Sequence, residues 1–366
     1  MTASACPIGT VSARAYTVPT DAPEADGTFA WSETTLVVVT VAAGGRTGLG
    51  YTYGPATACA LVKGPLSAAV AGTDAFDVPL CQRRMLDAVR NMGRSGIAAL
   101  AISALDAALW DLKAKLLDVP LAALLGRVRT AVPIYGSGGF TSYDDDHLRA
   151  QLSEWVERDG CRWVKMKVGT KPRDDSRRVR VGKDAIGAAT LFVDANGAYS
   201  VQEALRLAGV FQDECGVAWF EEPVSSDDLD GLAQVRERAP AGVDVAAGEY
   251  SFNTDDVHRM VARRAVHVVQ VDASRCLGIT GFLAAGAVCD AHHLDLSGHC
   301  APALHLHVAC SVPRLRHLEW FHDHVRIEHM LFDGAPVPRD GVIMPDMSRP
   351  GAGLEFKQQD AERYAA

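Results

Sequence analysis

The sequence predicts an α/β fold: a barrel of alternating parallel strands and helices, preceded by a smaller α+β unit. Three observations carry this reading. From Val132 onward, short apolar strands alternate with amphipathic runs, which is the pattern of parallel β/α units. Nearly every such strand ends on an ionisable residue. The series Lys167, Asp194, Glu221, Glu249, Asp272, His299, Glu319 recurs every 20 to 28 residues, about one β/α unit each time. Before Val132 the style differs, with a few strands followed by helices. A closed barrel gathers its strand ends at one mouth. An open doubly wound sheet would spread them along an edge, and no Gly-x-Gly-x-x-Gly follows a strand here.

In chain order, 11–16 reads as a first strand that runs into a Pro/Gly/acid-rich loop at 19–27. Segments 34–42 and Arg46–Tyr53, joined by Gly44-Gly45, read as a hairpin. A helix follows with Ile102, Leu105, Leu109, Leu112 and Leu116 on one stripe. Asp111 and Lys115 form an i,i+4 pair on its other face. The expected barrel strands are 132–136, 163–168, 191–194, 218–221, 245–249, 267–272, 295–299 and 317–320. Helical runs lie between them, and Ser200-x-x-Glu203 is a capping box for one. After Glu319 the chain turns Pro- and Gly-rich and is expected to fold back on the first unit. The division is therefore 1–128 with the tail 322–366 as one unit, and 129–321 as the barrel.

Bulk properties narrow the function. The 366 residues are 48% hydrophobic and 22% charged, ample for a large core. A net charge of −9 argues against nucleic acid or an anionic membrane surface as partner. No apolar run approaches the roughly 20 residues of a membrane span. The start lacks the basic and apolar regions of a secretory signal. Nine scattered cysteines without a Cys-x-x-Cys pair point to reduced thiols in the cytoplasm, not to disulfides or zinc.

The strand ends then suggest chemistry. In Trp163–Gly169, strand alternation places Lys165 and Lys167 on the same face. Neighbouring ammonium groups ease each other's deprotonation, which suits a lysine that takes a proton. A lone Lys-x-Lys is better read as a surface strand with two solvated lysines; the residues that follow change the balance. Asp194, Glu221 and Glu249 on successive strands, with no sulfur ligand, suit a hard cation, Mg²⁺ above all. Alternation sends Glu222 to the opposite face from Glu221, as a supporting or structural residue. Asp272, one strand from His299, can fix its tautomer and raise its basicity. His305 and His307 read as packing or surface residues. Lys167 and His299 would flank a substrate held on the metal, one removing a proton and the other returning one or assisting a leaving group. Glu319, if protonated, could hydrogen-bond a carboxylate oxygen. The constellation calls for a small-molecule carboxylate with a weakly acidic α-hydrogen.

In these motifs the chain resembles the enolase superfamily, specifically its mandelate racemase subgroup. The matching residues are Lys165-Met-Lys167, Asp194-Ala-Asn196, Glu221-Glu-Pro223, Gly248-Glu249, Asp272, His299 and Glu319. The resemblance implies a (β/α)7β TIM-like barrel with an α+β capping domain. It implies Mg²⁺ on Asp194, Glu221 and Glu249, Lys167 as base on one face, and the His299–Asp272 dyad on the other. Lys165 would sit beside the substrate carboxylate, with Glu319 as its electrophilic partner and Asn196 nearby. It implies proton abstraction through an enediolate, with dehydration of a sugar acid as the first reading. The alternative is racemisation or epimerisation of a hydroxy or amino acid derivative, or cycloisomerisation. By the same analogy the enzyme forms a homo-oligomer. Family specificity lies in capping loops, here around 19–31 and 51–53. There Glu24, with Asp21 and Asp26, could meet a polyol or a cation or simply be solvated. Tyr53, Trp320, Tyr51 and Trp31 either line the pocket or pack.

Overall fold

The structure is a computed structural model and describes residues 5–366. Strands β1 (Val11–Ala25), β2 (Ala30–Ala43) and β3 (Arg46–Tyr53) form an antiparallel sheet in that order. The first strand is longer than the sequence suggests. The stretch expected to be a loop at 19–27 stays extended to Ala25, with its register slipping between Pro19 and Glu24. Two prolines are tolerated because β1 is an edge strand, where a missing N–H breaks no ladder. Gly44 and Gly45 turn the β2–β3 hairpin with φ of +55° and +72°, as a two-residue turn of that hand requires.

Helix Ile97–Leu116 lies across this sheet. Its close approach needs glycine beneath it, since a Cβ on Gly50 would stand 2.2 Å from the Ala104 carbonyl oxygen. The face of this helix away from the leucine stripe is covered as well. Asp111 is buried, holds Lys115 at 2.6 Å and accepts from the amides of Leu49 and Ala352. Asp106 accepts from Thr280 of the barrel helix Gly278–Ala291. The helix is thus clamped between sheet, barrel and tail, and its stripe of leucines is only part of what it buries.

Eight parallel strands form the barrel: β4 (Val132–Gly138), β5 (Trp163–Lys167), β6 (Thr190–Asp194), β7 (Trp219–Glu221), β8 (Asp244–Ala247), β9 (Val268–Val271), β10 (Asp295–Gly298) and β11 (Leu315–Phe321). They pair in sequence order, and β11 closes on β4. One helix bridges each successive pair, and His322–Leu331 follows β11. Near Lys165 the barrel interior is filled by Tyr135, Phe192, Trp219, Ala246 and Val268. These side chains close the barrel, so a ligand can enter only from the mouth. The tail returns to the first sheet, where the Ala366 amide donates to the Ala15 carbonyl and Arg14 pairs with Glu362.

Candidate active site

In register, Lys167 lies beside Asp194, and Asp194 beside Glu221. Parallel pairing therefore lines up three polar strand ends directly. The next ligand is brought in differently. Glu249 lies two residues beyond the end of β8, and Gly248 between has φ +132°. A Cβ there would meet the Gln270 carbonyl oxygen at 2.3 Å, so only glycine lets the chain turn Glu249 inward. Asp272 and His299 likewise lie one residue past β9 and β10.

Asp194, Glu221 and Glu249 are all buried, with one carboxylate oxygen from each within 4.8 Å of the others. Two lysines reach into this cluster. Lys165 Nζ lies 2.6 Å from Glu221 Oε1 and 2.7 Å from Glu319 Oε1, and Lys167 Nζ lies 2.5 Å from Asp194 Oδ2. Burial pushes both lysines down, but the surrounding carboxylates outweigh it and hold both above the ordinary range. The mutual repulsion inferred from Lys-x-Lys is therefore the smaller effect. Burial and Asp194 raise Glu221 to about 8 despite Lys165. Trp219 Nε1 and Gln270 Nε2 donate to Glu221 Oε2 and fix its orientation.

A hard-cation site fits these residues. All donors are carboxylate oxygens, and Glu249 Oε2 is buried with no well-aligned hydrogen bond, His299 Nε2 lying 3.3 Å away. An ionised carboxylate oxygen in that state is costly unless a cation shares it. Glu222 departs from strand alternation. Its φ of +37° takes it out of the strand, and it stays buried beside the cluster. Burial, then Glu249 and Asp194, push its carboxyl well above the usual range.

On the far side, His299 Nδ1 sits 2.8 Å from Asp272 Oδ2, and Nε2 lies 3.3 Å from Glu249 Oε2. Burial disfavours the imidazolium, but the Cys300 sulfur and the Glu249 and Glu319 carboxylates outweigh it and hold His299 well above its ordinary value. Asp272 is held below the carboxylate range: burial raises it, but His299 and Arg275 lower it further. His305 is buried rather than on the surface. Its Nε2 accepts from the Ala273 amide and its Nδ1 faces the Ala301 carbonyl, which ties the chain just after β9 to the helix Pro302–Ala309 that follows β10. Glu319 can act as a donor only where it is protonated or shares a proton with a partner. Its surroundings favour the carboxylate instead: Ser137 Oγ, Lys165 and the Cys300 amide all donate to it, and burial is outweighed by Lys165 and His299.

A cavity of about 360 Å³ opens over these groups and is shared by barrel and cap. Lys167, Asn196, Glu249, His299 and Glu319 line its barrel side. Phe29 and Trp31 of the cap line the other, together with Phe321. Three expected pocket residues are elsewhere. Tyr53 is buried, stacked on His324 at 3.5 Å between ring centres, and its hydroxyl donates to the His324 carbonyl. Trp320 points away from the barrel interior, because it follows the inward Glu319 in β11, and packs near His329. Glu24 is buried behind Trp31, whose indole N–H donates to it at 2.7 Å. Asp21 is exposed and pairs with His322 at the surface. Tyr51 also packs, with its hydroxyl on Glu328.

Two residues absent from the sequence reading complete the site. Arg275 bridges Glu249 and Asp272, with Nη1 3.3 Å from Glu249 Oε1 and Nε 3.5 Å from Asp272 Oδ2. Its position three residues after Asp272 was the available signal. Ser137 is the last inward-facing residue of β4, and its hydroxyl donates to Glu319.

A parallel barrel under an α+β cap, with acids, lysines and a His–Asp pair at its mouth, is the architecture of an enolase-type enzyme. Residues 10–126 match the mandelate racemase / muconate lactonizing enzyme N-terminal domain, and 147–361 match the enolase C-terminal domain-like family, so the chain belongs to this branch of the enolase superfamily. It is similar to a mandelate racemase/muconate lactonizing enzyme-like protein of Rubrobacter xylanophilus, with 48% identity, a TM-score of 0.96, and coverage of 98% of this chain and 100% of that one. It is 32% identical to a 3,6-anhydro-alpha-L-galactonate cycloisomerase of Streptomyces coelicolor over 86% of this chain and 87% of the relative. It is 33% identical to the L-talarate/galactarate dehydratase of Salmonella typhimurium over 79% of this chain and 71% of the relative. The structure of that dehydratase liganded with Mg and L-lyxarohydroxamate superposes with a TM-score of 0.90 at 28% identity, covering 100% of this chain and 95% of that one.

Proposed function

We propose that this enzyme dehydrates a sugar acid by removing the proton α to its carboxylate. The observation that carries the reading is the placement of two proton-transfer groups around one carboxylate cluster. Lys167 meets it at Asp194, and His299 meets it at Glu249, three strands away around the closed barrel. Asp194, Glu221 and Glu249 would hold Mg²⁺, which when bound neutralises charge on these acids and on the reacting carboxylate. Lys167, which would lose its proton once a cation takes over the charge of Asp194, takes the α-proton, and the C–H electron pair forms the new double bond. His299, oriented by the contact of its Nδ1 with Asp272, gives its proton to the departing β-hydroxyl, which leaves as water. The enol that results tautomerises to a 2-keto-3-deoxy acid. Lys165 and Ser137 orient Glu319, which meets the substrate carboxylate by sharing a proton with it. We assign residues 1–128 with the tail 322–366 to the cap and 129–321 to the catalytic barrel.

The test is a panel of sugar acids screened with the Mg-loaded enzyme for 2-keto-3-deoxy product. Lys167→Ala and His299→Asn should each abolish turnover while preserving the fold. Full activity in either refutes the two-base assignment. Cycloisomerisation shares the first proton transfer and is the second reading, supported by the Streptomyces relative with the broadest reciprocal coverage among the two curated relatives. Deuterium entering the α-position in D₂O without loss of water would select that class, or epimerisation, over dehydration.

A further inference from the structure

The cap wall of the cavity has a one-sided charge. Two carboxylates, Asp26 and Glu33, face it from the cap, and among the described residues the cap lines it with no cation. Asp26 is held in place by the Thr28 and Phe29 amides, which donate to its Oδ1 at 2.6 and 2.7 Å. Glu33 is exposed and stands two residues from Trp31 on the same face of β2. The cations that do line the cavity all belong to the reacting end. Lys167 is on Asp194. Arg275 is held by the Glu249 carbonyl and side chain and by Asp272. His299 is on Asp272. His324 is kept neutral, since burial lowers it to about 3.

We infer that the acid taken by this site has an uncharged far end, a monocarboxylate polyol of the aldonate type rather than an aldarate with a carboxylate at each end. The inference rests on the reading of the site as a sugar-acid dehydratase. One carboxylate of the substrate is needed at the metal cluster. A second, at the opposite end of an extended acid, would enter a wall that carries two negative charges with no partner for it. Two like charges a few ångströms apart in a half-buried cavity repel by enough to change binding on the order of tenfold or more. Hydroxyl groups there meet the opposite situation, because each can donate to Asp26 or Glu33. The aromatic faces of Phe29 and Trp31 match the apolar C–H face of such a chain.

The experiment compares matched aldonate and aldarate pairs that share every stereocentre and differ only at the terminal carbon. With the Mg-loaded enzyme, kcat/KM for the aldonate should exceed that for its aldarate at least about tenfold. Glu33→Arg should narrow that ratio by a similar factor, through KM for the aldarate. Equal or preferred use of the aldarate by the wild-type enzyme overturns the inference while leaving the dehydratase reading intact. Silence toward both members of every pair overturns the dehydratase reading instead. The charge preference is then read from Mg-dependent thermal stabilisation by the same pairs, where equal stabilisation overturns it.

Discussion

Asp272→Asn isolates what the buried carboxylate does for His299. The 2.8 Å contact to Nδ1 places a full negative charge against the imidazole, and Arg275 and the Ser274 amide orient that carboxylate. An opposite charge at this range favours the protonated ring by about 1–3 pKa units, or about 1.4–4 kcal/mol. Asparagine keeps the shape and can still accept from Ser274, so the fold should hold. Its amide N–H₂, turned toward Nδ1, also selects the wrong tautomer. Both effects fall on the step in which His299 delivers a proton. Turnover of the Mg-loaded variant should drop by about 10- to 1,000-fold. Lys167 is untouched, so α-proton exchange in D₂O should persist at a far larger fraction of its wild-type rate. Steady-state kinetics and exchange measured by NMR on one preparation check both. A variant whose turnover stays within about threefold of wild type across the pH range would show that Asp272 does not support His299, and the dyad assignment would fall.

Other outcomes follow from the same structure. Mg²⁺ should raise the melting temperature, with binding at 100 times its dissociation constant contributing about 2.7 kcal/mol; Glu249→Gln should lose that rise, and a persisting rise would place the ion elsewhere. Stability should fall between pH 5 and 8 in chemical denaturation. Glu24 and Glu328 are raised by burial to about 8, and Asp106 by burial to about 7. The folded chain holds protons that the unfolded chain releases near 4.5 and 3.8, so this stability is complete at low pH and is lost as pH rises through the folded values. Glu24→Gln keeps the Trp31 contact and should flatten the slope; an unchanged slope would exclude Glu24 as a source. Gly50→Ala should destabilise the cap by about 1–3 kcal/mol or more, because its Cβ would meet the Ala104 carbonyl and the Ala108 amide. An unaltered melting curve would contradict the close helix–sheet approach.

The positions of the reacting groups were legible in the sequence because barrel topology converts spacing into geometry. One polar residue per β/α unit means one polar group per strand end, and parallel pairing of β5, β6 and β7 sets Lys167, Asp194 and Glu221 side by side. Hydrophobic alternation also separated cap from barrel, since each needs a different period and layer. What lay beyond the sequence were properties that depend on neighbours distant along the chain. The inward turn of Glu249 needed the contact between Gly248 and Gln270, and the ionisation of Glu319 needed Ser137 and Lys165 from other strands. The pocket wall depended most on tertiary structure. Tyr53 and Trp320 look like pocket aromatics in one dimension, yet one stacks behind His324 and the other faces out, while Phe29 and Trp31 form the wall. Local pattern says which face of a strand a side chain takes. Only the packing of cap on barrel decides which of those faces looks onto the substrate.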